Sequence, residues 1–151
     1  MNNVQLQNLI FSDSVRIVEA ITTGAAWEIW MQVELVLLLR QNNVQAAREV
    51  PYPPPHQNLR LDCIAQDNQG MYAIEMKVES ANNAGAQIVN GLNADRLKIA
   101  NYPRPNPGAR WVVGIGYSVA AVNALQQFVA NPASNAIGAF QNGIAVVIST
   151  V

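Results

Sequence analysis

Between residues 25 and 41 apolar side chains stand on every side of a helical wheel, and neither Gly nor Pro interrupts them. That pattern predicts a helix buried all round. Residues 4–23 are apolar at mixed spacing: Ser12 or Asp13 can cap a helix there, Val15, Val18 and Ile21 fall on one stripe, and Gly24 ends it. Asn42-Asn43 closes the buried helix, and a short strand over 45–50 follows. The run Pro51-Tyr52-Pro53-Pro54-Pro55 can continue neither a central strand nor a helix. Helical spacing returns over 86–100 and over 119–130, where Val122, Leu125 and Val129 share a face. Between them lie a proline-rich loop at 101–108 and a buried strand over 110–117. Asn131-Pro132 stops the last helix, and a final strand covers 143–151. Neither an internal repeat nor a boundary divides 1–151, so one domain is expected.

The segment 59–79 alternates apolar and polar residues on both sides of Asp67-Asn68-Gln69-Gly70, a run of turn formers. It predicts a β-hairpin. Centring the turn there pairs Cys63 with Ile74, Ala65 with Tyr72, Leu61 with Met76 and Leu59 with Val78 on an apolar face. The other face sets Asp62 opposite Glu75 and Arg60 opposite Lys77. Directly opposed side chains sit roughly 4.5–5.5 Å apart at Cβ, and like charges facing each other destabilise a sheet. A merely structural pairing would set Asp62 opposite Lys77. Two facing carboxylates instead point to a cation held between them, and their hard oxygens suit Mg²⁺ or Mn²⁺. Glu75 and Lys77, two apart on a strand, share its face.

This pattern resembles the active site of the PD-(D/E)XK nuclease superfamily, the restriction-endonuclease-like fold. In that family an Asp and an acid-x-Lys triplet sit on neighbouring strands. The matching residues are Asp62, Glu75 and Lys77, with Leu61 where the family carries Pro. The order helix, three strands, crossover helix, strand matches the family core over about residues 25–117, with one helix and one strand added. The resemblance implies an α/β fold with a central mixed sheet of four to five strands flanked by helices, since a crossover helix makes a parallel connection. It implies a metal-dependent endonuclease, with Asp62, Glu75 and the Met76 carbonyl on Mg²⁺ or Mn²⁺. Lys77 would orient the attacking water and stabilise charge developing on phosphate.

The family also carries a Glu on the helix before the sheet. Glu34 stands among Trp30, Met31, Leu37 and Leu38 on its helix, and a carboxylate buried there needs a partner or a metal. Glu34 is therefore the first candidate for both metal and catalysis, with Glu28 in reserve; the choice stays open. Gln87, Arg96 and Lys98 follow on the next helix, as phosphate contacts or as ordinary solvated residues. Glu79 continues the face of Glu75 and Lys77 and flanks the site. Trp27, Trp30 and Trp111 are expected in the core rather than as base-stacking platforms. Gly114 and Gly116 lie inside a strand without a third glycine, which excludes a dinucleotide-binding loop.

Composition narrows the function classes. Half of the 151 residues are hydrophobic and 13% are charged, which suits a packed domain. Cys63 is the one cysteine and His56 the one histidine, so neither an internal disulfide nor a Cys/His zinc site can form. The stretch from Val33 to Leu39 is too short to span a bilayer. No basic region precedes an apolar one at the start, so a cytoplasmic protein is expected, or one acting in a target cell as an effector. The net charge of −1 is unusual for a generic nucleic-acid binder. A bound metal would reverse the local sign, and seven of the nine basic residues are arginine, suited to bidentate phosphate contacts.

Two functions follow. The first is hydrolysis of nucleic acid, DNA above all, by a toxin or effector, defence or DNA-processing nuclease whose targeting comes from a homodimer or recognition partner. The alternative is a non-catalytic nucleic-acid- or protein-binding module on the same fold, because a fold by itself does not establish an activity.

Overall fold

The computed structural model describes residues 1–24 and 27–151. The expected helix start at residue 25 lies outside the described residues. Helices α1 (Asn3–Ser12), α2 (Ser14–Thr22) and α3 (Trp27–Gln41) precede an antiparallel series, β1 (Gln45–Pro51), β2 (Arg60–Asp67) and β3 (Gly70–Val78). Helix α4 (Gln87–Ala100) then crosses to β4 (Gly108–Gly116), which runs parallel to β3. Helix α5 (Val119–Ala130) and the hairpin of β5 (Ala136–Gln141) with β6 (Ile144–Thr150) complete the chain. Among the described residues the result is α/β: five α-helices around one six-stranded mixed open sheet of order β1-β2-β3-β4-β6-β5. Among the described residues no helix is long and apolar enough to cross a membrane.

The first three helices pack on one face of the sheet, around Leu6, Ile17, Met31, Leu35, Ile74 and Trp111. Helices α4 and α5 cover the other, around Ile88, Leu92, Val112, Leu125 and Val147. The burial of β4 and β6 along almost their whole length explains their continuous apolar runs. Gly114 and Gly116 lie inside β4, as expected.

Three expectations change. The sheet has six strands rather than four or five, because β5 was not foreseen. Asn142 (φ 54°) and Gly143 (φ 79°) form the two-residue turn into β6, and Asn-Gly is the sequence that favours such a turn. The helix expected after Ser12 or Asp13 is α2, which begins past Asp13, and an additional helix, α1, precedes it, started by an Asn2–Gln5 capping box. On α2 the inward residues are Ser14 and Ile17, whereas Val15 of the expected stripe is 72% exposed.

The hairpin register is the expected one, from Asp67 paired with Gly70 to Cys63 paired with Ile74. Asp67 fixes the turn by accepting from the N–H of Gln69 at 2.8 Å and of Gly70 at 3.0 Å. Beyond Cys63 the two strands part. Leu61 packs with Tyr52 and Ala73 under α4 rather than with Met76, which faces α3. Between the rungs Arg48–Cys63 and Val50–Leu61, Glu49 has a φ of 57°, a local kink in the neighbouring strand at the same level.

Candidate active site

The parting of β2 and β3 leaves backbone donors of β3 without a strand to bond, and carboxylates take them. Asp62 Oδ2 accepts from the Met76 N–H at 2.7 Å, and Glu28 Oε2 stands 3.5 Å from the Val78 nitrogen. Glu75 is fully buried. Its Oε1 accepts from the Tyr52 hydroxyl at 2.6 Å and its Oε2 from Lys98 Nζ at 2.8 Å. Lys77 Nζ lies 3.5 Å from Glu28 and 3.6 Å from Asp95. The chain has two lysines, and both are here, with four of its ten acids.

Each element positions its group for a local reason. Strand alternation turns Glu75 and Lys77 toward α4. Asp95 occupies the sheet-facing stripe of α4 that also holds Ile88, Leu92 and Ile99. A Cβ at Gly91, one turn before Asp95, would come within 3.0 Å of the Lys77 side chain, so the missing methyl makes room for the lysine stem. Tyr52 reaches Glu75 from the proline-rich loop, held there by its own N–H bond to the Leu59 carbonyl at 3.0 Å and by the Tyr102 ring at 5.1 Å.

The crowding of acids shifts their protonation. Burial, then the charge of Asp62, pushes the Glu75 carboxyl up to about 8, despite the bonds from Lys98 and Tyr52. Burial likewise raises Asp95 to about 6, with Lys77 pulling the other way and Asp62 adding to the rise. Burial works against the charge on Lys77, but Asp95, Glu28 and Asp62 outweigh it and hold its ammonium above the ordinary range.

A pH profile follows from Glu75. A carboxyl raised in the folded state stabilises the fold fully below its ordinary value of 4.5, and that contribution is lost as pH rises through about 8. The metal-free protein is therefore expected to lose thermal stability across this window, and Glu75→Gln to remove that part of the loss. Stabilisation by Mn²⁺ should grow over the same window, because the cation must displace the proton. Unfolding midpoints at stepped pH check this; parallel profiles for parent and variant would contradict it.

The expected residues are only partly brought together. Asp62, Glu75, Lys77 and Lys98 meet, and the Met76 backbone joins through its N–H. Glu34 does not join them. It is buried and bound by Arg16 of α2 at 2.7 and 3.1 Å. Burial raises its carboxyl, Arg16 lowers it and Asp13 raises it further. Six residues at about 100° each carry Glu34 well round the helix from Glu28, and Glu28 is the acid of α3 that reaches the cluster. Arg96 donates to the Ala133 carbonyl at 2.9 Å and lies over Phe128, and Gln87 is exposed at the start of α4. Asp95 and Tyr52 were missed. Glu79 offers no free oxygen to the cluster: its carboxylate is buried and taken up by backbone N–H groups. Trp27 and Trp111 are core residues as expected, and the buried Cys63 thiol is pushed up to about 12, by burial first and the charge of Asp62 second.

The donor chemistry fits a hard divalent cation. All the acids offer oxygen, four carboxylates outweigh two ammonium groups, and Asp95 Oδ2 is buried without a hydrogen-bond partner. Among the described residues no three Asp, Glu, His or Cys side chains already converge on one ion position. Lys98 and Tyr52 occupy the Glu75 oxygens instead. Comparison with family models, curated proteins and solved structures found no match to this chain.

Proposed function

We propose that this chain is a metal-dependent nuclease with a restriction-endonuclease-like core, hydrolysing phosphodiester bonds in DNA. The observation that carries the reading is the gathering of both lysines with Glu28, Asp62, Glu75 and Asp95 where β2 and β3 part. The order α3-β1-β2-β3-α4-β4, with β4 parallel to β3, supports the fold assignment. Asp62, Glu75 and Asp95 would hold Mg²⁺ or Mn²⁺. When bound, the cation supplies Lewis-acid polarisation of the phosphate and a more acidic water.

The chain's own groups do the rest. Tyr52 fixes the orientation of Glu75. Lys77, steadied by Glu28, is placed to orient the water and to meet negative charge growing on the phosphate. Lys98, released from Glu75, becomes a free cation for the substrate. The occupied Glu75 oxygens favour a second reading, a binding module that keeps the fold and uses the ion pairs to hold it together.

Cleavage of plasmid in Mg²⁺, Mn²⁺ or EDTA separates them. Metal-dependent nicking that Lys77→Ala abolishes is the expected result. Intact plasmid and intact single-stranded DNA in every condition, with RNA equally untouched, would leave the binding module.

A further inference from the structure

Beside Glu28 the surface opens into a cleft of about 430 Å³, walled by Trp27, Ser80, Asn82, Asn83 and Tyr117. That volume is in the range of small-ligand sites. Its walls come from separate segments of chain, and the buried Glu79 ties them together. The Glu79 carbonyl accepts from the Trp27 indole N–H at 2.6 Å. Its carboxylate accepts from the Tyr117 N–H at 2.8 Å and from the Gly85 N–H at 3.0 Å. A carboxylate kept from water is costly unless its oxygens are bonded; here those bonds hold the frame of the cleft.

The lining chemistry selects the ligand. Among the described residues no Lys or Arg lines the cleft, so it offers no cation to a phosphate. It offers two aromatic rings, the apolar Ile21 and Ile29, two side-chain amides, the Ser80 hydroxyl and, at one end, the Glu28 carboxylate. Amides and carboxylates are the groups that hydrogen-bond base edges, and aromatic rings stack bases of any sequence. Tyr117 is 41% exposed, and its ring meets Trp27 at 66°, so the two rings form a corner rather than a stack. Glu28 belongs to both places, since it also holds Lys77 at 3.5 Å. The cleft therefore borders the acid–lysine cluster through Glu28.

We infer that this cleft receives a nucleobase turned out of its stack, from the nucleotide beside the phosphate at the cluster. The inference rests on the phosphodiester reading and narrows its substrate class to single strands, or strands with an unpaired base. A base inside an intact duplex has to be flipped out before it can enter such a cleft, at an energetic cost.

Binding of a short single-stranded oligonucleotide in EDTA, followed by fluorescence anisotropy, tests the cleft without metal or cleavage. Tyr117→Ala is expected to weaken binding about tenfold, and Tyr117→Phe to keep it. A duplex of the same sequence should bind less tightly and ignore both changes. Equal affinity of parent and Tyr117→Ala for the single strand, or no binding by the parent, would overturn the inference. Binding through Tyr117 without cutting in Mg²⁺ or Mn²⁺ would keep the cleft and remove the nuclease. Cutting with an unchanged KM in Tyr117→Ala would keep the nuclease and remove the cleft.

Discussion

Glu75→Gln is expected to lower metal-dependent cleavage by about a thousandfold while leaving the fold intact. The amide has nearly the shape of the acid, and its carbonyl can still accept from the Tyr52 hydroxyl that now bonds Glu75 Oε1 at 2.6 Å. Lys98 loses its ion pair, but its side chain is 30% exposed and water can take over. Above about pH 8 the change also removes a negative charge beside Asp62, which relieves repulsion in the metal-free protein. What it takes away is the anionic oxygen that a cation needs. Cleavage rate and Mn²⁺ affinity should fall together, with the circular dichroism spectrum unchanged. A variant that cuts as fast as the parent would remove Glu75 from the chemistry. Glu75→Ala is the poorer test, because it also strands the buried Tyr52 hydroxyl without an acceptor.

How much of this was legible in the sequence depends on whether a residue's neighbours were local. The hairpin could be read because both strands alternate and their turn is unambiguous, and Asp62, Glu75 and Lys77 came with it. Asp95 left a local signal that went unused: an acid at the position where Ile88, Leu92 and Ile99 define the inward stripe of α4. The lysines left another. In a chain with seven arginines, two isolated lysines suggest a compact ammonium was needed at both places. Glu28 and Glu34 could not be separated, since α3 is apolar all round and its wheel has no preferred side. That choice is made by α2, whose Arg16 claims Glu34. Tyr52 was hidden because a proline-rich run predicts a loop without saying where the loop folds back. The Asn142-Gly143 turn was an available sign of β5, passed over because the strand before it is short and contains Gly138.

Glu79→Ala should be the most destabilising single change, by about 3–5 kcal/mol, because it strands buried donors that each cost roughly 1–3 kcal/mol when unsatisfied. The carboxylate is 3% exposed. It accepts from the N–H groups of Gly85, Tyr117 and Ser118, at 3.0, 2.8 and 2.8 Å, and from the Ser118 hydroxyl. These bonds join the connection after β3 to the start of α5, two places that the sheet does not link directly. The unfolding midpoint should drop by roughly 10 °C, at about 2–4 °C per kcal/mol for a domain of this size. Glu79→Gln should recover only part of the loss, since its NH₂ would face donors rather than acceptors. The pH dependence has the opposite sign to that of Glu75. Burial raises the Glu79 carboxyl, but the Ser118, Tyr117 and Gly85 bonds outweigh it and hold the group below its ordinary value. Its contribution is therefore present above the ordinary carboxylate range and is lost as pH falls through the lowered value. The gap between parent and Glu79→Ala should narrow in acid, whereas parent and Glu75→Gln should diverge toward alkaline pH, where only the parent loses the Glu75 contribution. Parent-like unfolding of Glu79→Ala at neutral pH would mean that these bonds are replaced by water at no cost, and that Glu79 does not hold the cleft's frame.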